Sequence, residues 1–442
     1  MDDLNFTKLA IFGGAAFIVV VALLMFMGVI PSPSSQIPGV ITGTTSIWLP
    51  KSAEFLEHVV TQDFKNAQDH IAVTITIVPD AEYDSRLVNA LAAGTGPELW
   101  LLPHDRILTH RDKVATIPFT TIPERTYLDT FIDEGELFLV PADLVNKKDG
   151  YAIALPVLVD PLVLFWNKDL LGSAGVARPP QTWDEFVTAA KTLTTLDANG
   201  NFTQSGVALG EFGNIANAKD IISLLILQAG NPIIEKTTLE VALDRQSGAL
   251  TPTASAIRFF NEFSNPRKDD YSWNHLRPEA LDAFAAQKLA LYIGYASEYA
   301  DIIKKNPHLN FDVAEVPQIK GDTTTATYGR LTGIAISKSA AKSGPAMALA
   351  TYLAGSEAQK QIASTLERPS VRRDVLSASG QNARLTVYSR AAVKARGWLD
   401  PAPDATYEIF RKMVESVKTG AKDPQGAITN AKNELQSIVP NK

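Results

Sequence analysis

The sequence predicts an α/β protein folded into two or three compact units. From Ile41 onward, short runs of Val, Ile and Leu alternate with amphipathic segments, and this alternation is typical of a mostly parallel sheet covered by helices. A chain of 442 residues suits two or three units, because compact domains contain roughly 100–200 residues each. The apolar fraction of 45% and the charged fraction of 20% are typical of a globular protein.

The first unit is predicted to begin as strand, helix, strand, helix, strand. Ser52 is expected to cap the first helix, because apolar residues recur at helical spacing after it. Gly94 is expected to end the second helix as its C-terminal glycine. The strands are expected at Thr45–Leu49, Ile71–Val78 and Leu99–Leu102; the first helix buries Phe55, Leu56, Val59, Val60 and Phe64, and the second runs from Tyr83 to Ala93.

The Val-rich run Leu155–Trp166 opens a second set of elements. Thr182 and Glu185 have the spacing of a capping box, which marks the start of a helix. Asp197–Phe202 predicts a tight Asn-Gly hairpin turn, and the missing distal Glu argues against a calcium loop. Further strands are expected at Lys288–Gly294, Phe311–Val316 and Thr332–Ser337, and further helices from Ser297, over Pro345–Leu353 and Ser356–Leu366, and from Asp423 through Ile438.

An N-terminal segment is long and apolar enough to cross a membrane. Residues 9–30 carry no charged side chain, and about 22 helical residues span a bilayer core of ~30 Å. The run exceeds the apolar region of a cleavable signal peptide, and no Ala-x-Ala site follows it. We therefore expect an uncleaved anchor, with residues 1–8 in the cytoplasm and residues 31–43 as a linker rich in Pro, Ser and Gly.

Composition excludes several classes of function. The net charge of −7 argues against a general nucleic-acid-binding protein. The chain has no cysteine, which removes disulfides, thiolate nucleophiles, Cys-based metal sites and an acylated cysteine as a membrane anchor.

No sequence motif indicates catalysis. The chain lacks HExxH, GxSxG, a P-loop and a dinucleotide glycine fingerprint. His104, Asp105 and His110 form the nearest approach to a metal cluster, and a surface pair explains them better. We expect no catalytic residue, no metal and no cofactor, although carboxylates distant in sequence can still form a glycosidase pair in space.

Several blocks, in order, resemble the extracellular solute-binding proteins of family 1, the maltose-binding-protein-like group that serves ABC importers. PPQTWDEF at 179–186 is the most specific block. The others are RLVNALAAGTGPELW over 86–100, YAIALPVLVDPLVLFWNKD over 151–169, FAAQKLALYIG over 284–294, YGRLTGIAISK over 328–338 and the tail from Trp398 through Ile438. The blocks extend over about residues 41–440, and the lipid-anchoring cysteine of many relatives is missing.

The resemblance implies a type II periplasmic-binding-protein-like fold, with two α/β lobes and a hinge, preceded here by one N-terminal transmembrane helix. Crossings between the lobes are expected near 154–156, 315–317 and 368–369. Lobe 1 is then expected to contain residues 41–154 and 318–368, and lobe 2 residues 156–315 and 370–442. In such open sheets a ligand lies outside the carboxyl ends of the strands.

Candidate ligand-binding residues lie at predicted strand ends or in the loops after them. Trp166, Trp183 and Tyr299 are better explained as structural. For Trp48 and Trp398 a ligand contact and a packing role remain open, and Arg330 can instead form an ion pair between lobes. The candidates are Trp48, Tyr83, His104, Asp105, Asp160, Glu211, Asn214, Trp273, Tyr295, Arg330 and Trp398.

The expected function is extracytoplasmic capture of a solute, a sugar by preference, for an ABC import permease. The resemblance implies a monomer tethered to the cell membrane, with the permease as partner. Alternatives on the same fold are capture of a phosphorylated polyol, a polyamine or a metal. A membrane-anchored ligand sensor and a glycoside-processing enzyme are the alternatives from other classes.

Overall fold

The computed structural model describes residues 41–140, 150–246, 251–321, 325–377 and 382–440. The expected anchor at residues 9–30 lies outside the described residues and stays a prediction. Within the described ranges, no helix combines the length and the apolar character that a membrane span requires.

The described residues contain one large sheet and one small one. The large sheet has the strand order β2-β1-β3-β12-β7-β10-β9-β8, with β11 beside β7 and β13 beside β12, and the small sheet has the order β4-β6-β5. The strands are β1 Gly43–Pro50, β2 Ile71–Val78, β3 Leu99–Pro103, β4 Ile117–Pro118, β5 Leu139–Val140, β6 Tyr151–Ala152, β7 Leu155–Asn167, β8 Thr195–Leu196, β9 Phe202–Val207, β10 Leu289–Tyr295, β11 Phe311–Ala314, β12 Thr327–Ile336 and β13 Ala395–Arg396.

The prediction of a mostly parallel sheet, drawn from the first strands of the chain, is confirmed for β1, β2 and β3 but wrong for the sheet as a whole, which is mixed. β1 is parallel to β2 and β3, and β9 is parallel to β10. However, β7 and β12 are antiparallel to each other. In addition, β7 is antiparallel to β10, and β12 is antiparallel to β3. The reason is that these two long strands pass through the middle of the sheet in opposite directions.

Helices cover the sheet, and several begin at the predicted caps. The Thr182 hydroxyl accepts the Glu185 N–H at 3.3 Å, and the Asp423 carboxylate accepts the Gly426 N–H at 2.9 Å. The α-helices of four or more residues are Asp80–Ala92, Ile107–His110, Glu124–Thr130, Lys168–Ser173, Trp183–Leu193, Ala218–Gln228, Pro252–Glu262, Ala280–Ala285, Tyr299–Lys305, Gly344–Leu353, Ser356–Leu366, Arg373–Ser377, Ala383–Val393, Pro403–Lys418 and Pro424–Ile438.

Most predicted local elements are present. Gly94 has a φ of 72°, as expected of a C-terminal glycine, and Asp197 accepts the N–H groups of Asn199 and Asn201 in the predicted hairpin. Ser52 does not cap a helix. Its N–H and hydroxyl both bond to the Asp80 carboxylate, because the end of β1 lies beside the start of the helix Asp80–Ala92.

Two separate hydrophobic cores divide the molecule. The first core packs the helices of the N-terminal third, together with Gly344–Leu353 and Ser356–Leu366, against β1, β2 and β3. The second core packs the helices between 183 and 302 and the last two helices against β7, β9 and β10.

Two strands pass from one core to the other. β7 belongs to the first core through Val159 and to the second core from Leu162 onward. β12 passes in the opposite direction, between Tyr328 in the second core and Leu331 in the first. The segments around 154–156 and 315–317, expected as crossings, pack in the first and second core respectively.

At Gly333, strand β12 packs too closely against the first core to accommodate a side chain. A Cβ atom on Gly333 would lie 2.7 Å from the Cβ atom of Ala154 and 2.9 Å from the ring of Phe138. The register of β12 against β7 also shifts between Thr332 and Gly333. Glycine therefore permits the close approach of β12 to the first core at the point where it leaves the crossing.

Candidate functional site

A cavity of about 460 Å³ lies at the carboxyl ends of β1, β2 and β3, beside the two crossing strands. This is the edge of an α/β sheet at which ligands bind, because strand ends and helix starts leave room for polar side chains there. The lining residues are Pro50, Ser52, Ala53, Asp80, Tyr83, Asp84, Leu87, Trp100, Leu101, Pro103, Arg106, His110, Leu158, Val159, Asp160, Ser297, Arg330, Thr332, Ile362, Arg368 and Pro369.

The charged lining is balanced between carboxylates and guanidinium groups. Asp80, Asp84 and Asp160 supply the carboxylates, and the guanidinium groups are those of Arg106, Arg330 and Arg368. Such walls can accept hydrogen bonds from a ligand and donate them to it, in the planar geometry that both groups favour.

A buried histidine orients one of these carboxylates. The Nε2 atom of His110 lies 2.6 Å from Asp84, and the histidine is only 2% exposed. This hydrogen bond, and the charges of His110 and Arg106, hold the pKa of Asp84 below its ordinary value against the effect of burial. Asp84 therefore faces the cavity as an anion at neutral pH.

The guanidinium group of Arg330 is held from behind by the second core. Arg330 Nη2 donates to Asp220 at 2.9 Å, and the guanidinium carbon lies 3.7 Å from the centre of the Tyr295 ring. The Tyr295 hydroxyl donates to the same Asp220 oxygen at 2.6 Å. Half of the Arg330 side chain stays exposed, so its remaining donors are available to a ligand.

Asp160 lies beside Arg330, because the two residues are partners in the register of β7 and β12. The Asp160 carboxylate accepts the N–H of Ser297, which follows β10. Residues from the crossing strands and from the second core thus meet first-core residues at one cavity.

Behind the crossing lies a buried polar cluster. The Nδ1 atom of His104 accepts the N–H of Leu331 at 3.1 Å, and its Nε2 atom lies 3.3 Å from the Tyr328 hydroxyl. Glu134 is 2% exposed, and among the described residues neither of its carboxylate oxygens has a hydrogen-bond partner. Burial raises the pKa of Glu134 well above its ordinary value, although the charge of Arg396 opposes the shift.

A buried ion pair joins the helix Ala218–Gln228 to the segment before the helix Pro403–Lys418. Lys219 Nζ donates to Asp400 at 2.8 Å, and Asp400 is 1% exposed. Trp398 packs beside this pair, stacked on Phe410 at 5.8 Å, and its indole N–H donates to Ser223. Its ring is 2% exposed, so it presents no face to the cavity in this conformation.

The structure brings three of the predicted ligand-binding residues together in the cavity lining: Tyr83, Asp160 and Arg330. Tyr295 lies directly behind them as the support of Arg330. Tyr83 is itself largely buried, because its hydroxyl bonds to the backbone of Trp48 and Leu101.

The remaining predicted residues lie outside the cavity lining. Trp48 packs against the first core, and Asp105 is half-buried next to His104. Glu211 forms an ion pair with Lys418. Asn214 accepts the indole N–H of Trp273, which is fully buried. A contact of these residues with solute stays a prediction.

Several lining residues were not predicted. Asp80 and Asp84 follow β2, and Arg106 and His110 follow β3, so the rule that selects loops after strands could have found them. Arg368 lies in the segment 368–369, where a crossing was expected, so that expectation could have pointed to it. Asp220, which supports Arg330 from outside the lining, carries no comparable signal, because only the folded chain brings it to Arg330. In the described ranges no group of three or more His, Asp or Glu side chains is arranged to hold a metal ion.

Comparison with known families agrees with this architecture. The family model for bacterial extracellular solute-binding proteins matches residues 49–360, which is well over half of the chain. The chain belongs to the bacterial extracellular solute-binding protein family. A relative from Brucella abortus (strain 2308), named only as a binding protein, is 23% identical over 314 residues, 70% of each chain.

Solved structures share the fold of this solute-binding protein. A cyclo/maltodextrin-binding protein complexed with maltotetraose matches with a TM-score of 0.72 at 17% identity, over 92% of this chain and 99% of that chain. A sugar-binding protein from Xanthomonas citri matches with a TM-score of 0.71 at 18% identity, over 90% of this chain and 97% of that chain. The fold is therefore the mixed α/β fold of type II periplasmic binding proteins.

Proposed function

We propose that this chain is the solute-binding subunit of an ABC importer and that it binds a carbohydrate in the cavity beside the crossing strands. The observation that carries the proposal is the meeting of first-core carboxylates with Asp160, Ser297 and Arg330 at one cavity. Membership of the family supports solute binding, and the sugar-binding neighbours of the same fold support a carbohydrate.

The chemistry of the lining suits a polyhydroxylated solute. Each sugar hydroxyl donates one hydrogen bond and accepts others, so a wall that contains both carboxylates and guanidinium groups can satisfy both roles. A cavity of about 460 Å³ lies within the range of about 300–1,000 Å³ that small ligands occupy. The lining rings of Tyr83 and Trp100 are nearly or fully buried, so recognition here rests on polar contacts more than on stacking.

The two cores are proposed to act as lobes that close on the solute. The hinge is then the pair of crossing strands, between Val159 and Leu162 in β7 and between Tyr328 and Leu331 in β12. A solute that contacts both sides favours the closed form through its higher affinity for that form. The closed form is proposed to be what the permease recognises, with residues 9–30 holding a monomer at the outer face of the cell membrane.

A phosphorylated sugar or polyol is the second candidate solute. Its support is the presence of Arg106, Arg330 and Arg368 in one lining, because guanidinium groups bind phosphate in a bidentate manner. Asp80, Asp84 and Asp160 in the same lining disfavour it by repulsion between like charges.

The test is a thermal-shift panel with the full-length chain in detergent. The panel contains mono- and oligosaccharides and their phosphates, because a solute that binds only the folded state at 100 times its Kd stabilises it by about 2.7 kcal/mol. We expect a neutral sugar to raise the melting temperature.

Paired variants locate the effect. Arg330→Gln and Asp160→Asn should abolish the shift. Arg125→Gln and Asp129→Asn, whose side chains are 93% and 73% exposed on a first-core helix, should retain it. A panel without any stabilising sugar would refute the carbohydrate proposal, and a full shift in the cavity variants would refute the site.

A further inference from the structure

Residues 231–243 leave the second core as a short hairpin, here called the arm. Its two sides are joined at Ile234 and Val241. The Asn231 side chain closes its base, donating to the Ala242 carbonyl at 2.7 Å and accepting the Ile233 N–H at 2.8 Å. The arm is therefore held as a unit by its own hydrogen bonds.

The base of the arm is fixed to the second core. Ile233 and Val241 are buried there, with exposures of 0% and 1%. Gln436, exposed on the last helix of the second core, accepts the Val241 N–H at 2.8 Å and also reaches the tip residue Leu239, donating to its carbonyl at 3.4 Å.

The tip of the arm lies in the other core. Leu239 is 8% exposed and packs with the residues of the first core. Lys236, on the same arm, lies 4.0 Å from Glu136 of the first-core side. The tip borders a mostly apolar cavity of about 340 Å³, together with Leu108, Leu137 and Leu139. The contact therefore combines a buried leucine with an ion pair at its margin, and the space around the leucine is incompletely filled, unlike the interior of either core.

The backbone of the arm is strained at its base and at its tip. Ile233 has a φ of 65° and Leu239 a φ of 59°, values that only glycine adopts without cost. They are rarest for a β-branched residue such as Ile233. Such strain persists only where the surrounding contacts impose it. Here these contacts are the burial of Ile233 in one core and of Leu239 in the other.

We infer that the arm is a latch that holds the two cores together before solute binds. The inference rests on the proposed hinge, because a rigid arm that is rooted in one lobe and buried in the other must withdraw when the lobes separate. Burial of Leu239 favours the closed form without solute, and the unfilled cavity around it makes withdrawal less costly than opening a close-packed core. The solute then has a smaller population shift to drive.

The experiment measures the ratio of closed to open molecules without any solute. The chain has no native cysteine, so Ser85→Cys and Thr188→Cys place spin labels at exposed positions on one helix of each core. Double electron–electron resonance on the full-length chain then gives the distribution of distances between the labels. Leu239→Ala removes the tip contact, and Leu276→Ala is the matched control, since Leu276 is 79% exposed.

Leu239→Ala should lower the closed-to-open ratio at least tenfold, whereas Leu276→Ala should leave it unchanged. Gln436→Ala tests the same latch from its base without touching the first core, with the exposed Asn433→Ala on the same helix as control. A ratio within twofold of wild type in both Leu239→Ala and Gln436→Ala, or a wild-type chain that is entirely open, would overturn the latch. Failure of the sugar panel would leave these distances unaffected, so the two proposals fail separately.

Discussion

Replacing Asp220 with Asn tests how the cavity-facing guanidinium of Arg330 is held. Asp220 is 6% exposed and accepts two hydrogen bonds, one from the Tyr295 hydroxyl at 2.6 Å and one from Arg330 at 2.9 Å. Asn keeps the shape and can place its single acceptor oxygen where both donors bond, but it removes the negative charge that holds the guanidinium group. We expect Arg330 to lose its fixed orientation.

The magnitude follows from the exposure of each partner. A buried hydrogen bond to an ionised group contributes about 1.5–3 kcal/mol, and the neutral bond that Asn can still form with Tyr295 restores about 1 kcal/mol of it. The Arg330 side chain is 55% exposed, so its ion pair counts at the surface value of about 0.2–1 kcal/mol. The expected loss in the free energy of unfolding is about 1.5 kcal/mol, or roughly 2 °C in Tm for a chain of 442 residues.

Two assays on the same preparation check this expectation. Thermal unfolding measures the loss of stability, and calorimetric titration with the most stabilising sugar of the panel should show a Kd about tenfold weaker, or about 1.4 kcal/mol. Asp184→Asn, at an exposed position on a second-core helix, is the control. If Asp220→Asn matches this control in both Tm and Kd, then Asp220 does not position Arg330 and the reasoning is refuted.

Three further predictions concern buried groups. Lys219→Met should lower the free energy of unfolding, measured in urea, by about 3–5 kcal/mol, because it leaves the Asp400 carboxylate buried without its cationic partner. Adding Asp400→Leu should restore most of this stability. A double variant as unstable as Lys219→Met would contradict this. Burial raises the pKa of Glu134, so the protonated form that stabilises the folded state is lost as the pH rises. The free energy of unfolding of the wild type should therefore fall from pH 5 to 8 by up to about 1.4 kcal/mol per pH unit, relative to that of Glu134→Gln. Parallel curves of stability against pH for the two proteins would contradict this. Trp398→Phe should change the Kd for sugar less than twofold in titration, since its ring is 2% exposed; a tenfold loss would make Trp398 a solute contact.

Local patterns were sufficient to predict most of the elements. Residues close in sequence determine where such local elements form. Examples are the strands β1, β2 and β3, the cap at Thr182 and the Asn-Gly hairpin. Ser52 was the exception, because its partner Asp80 is 28 residues away. The prediction of a mostly parallel sheet held for β1, β2 and β3 and failed beyond them for a similar reason, since the direction of β12 is set by its pairing with the distant strands β3 and β7.

The site was predicted only in part. Asp160 and Arg330 were chosen as residues near a strand end or in a loop, and the structure places both within the crossing strands. The support of Arg330 by Asp220 depends on a contact 110 residues apart. Trp273 and Trp398 are of the residue type that stacks on sugar rings, but residue type alone does not show whether a side chain is buried or faces a cavity. In β7 the passage between the cores falls at Asp160 and Pro161, which interrupt the apolar run between Val159 of the first core and Leu162 of the second.

The most direct test of solute binding between the cores is a crystal structure of the full-length chain with the most stabilising sugar of the panel. The account predicts one sugar molecule in the cavity at the carboxyl ends of β1, β2 and β3, hydrogen-bonded to Asp160 and Arg330. A sugar bound to the surface of a single core, or an empty cavity at saturating sugar, would contradict it.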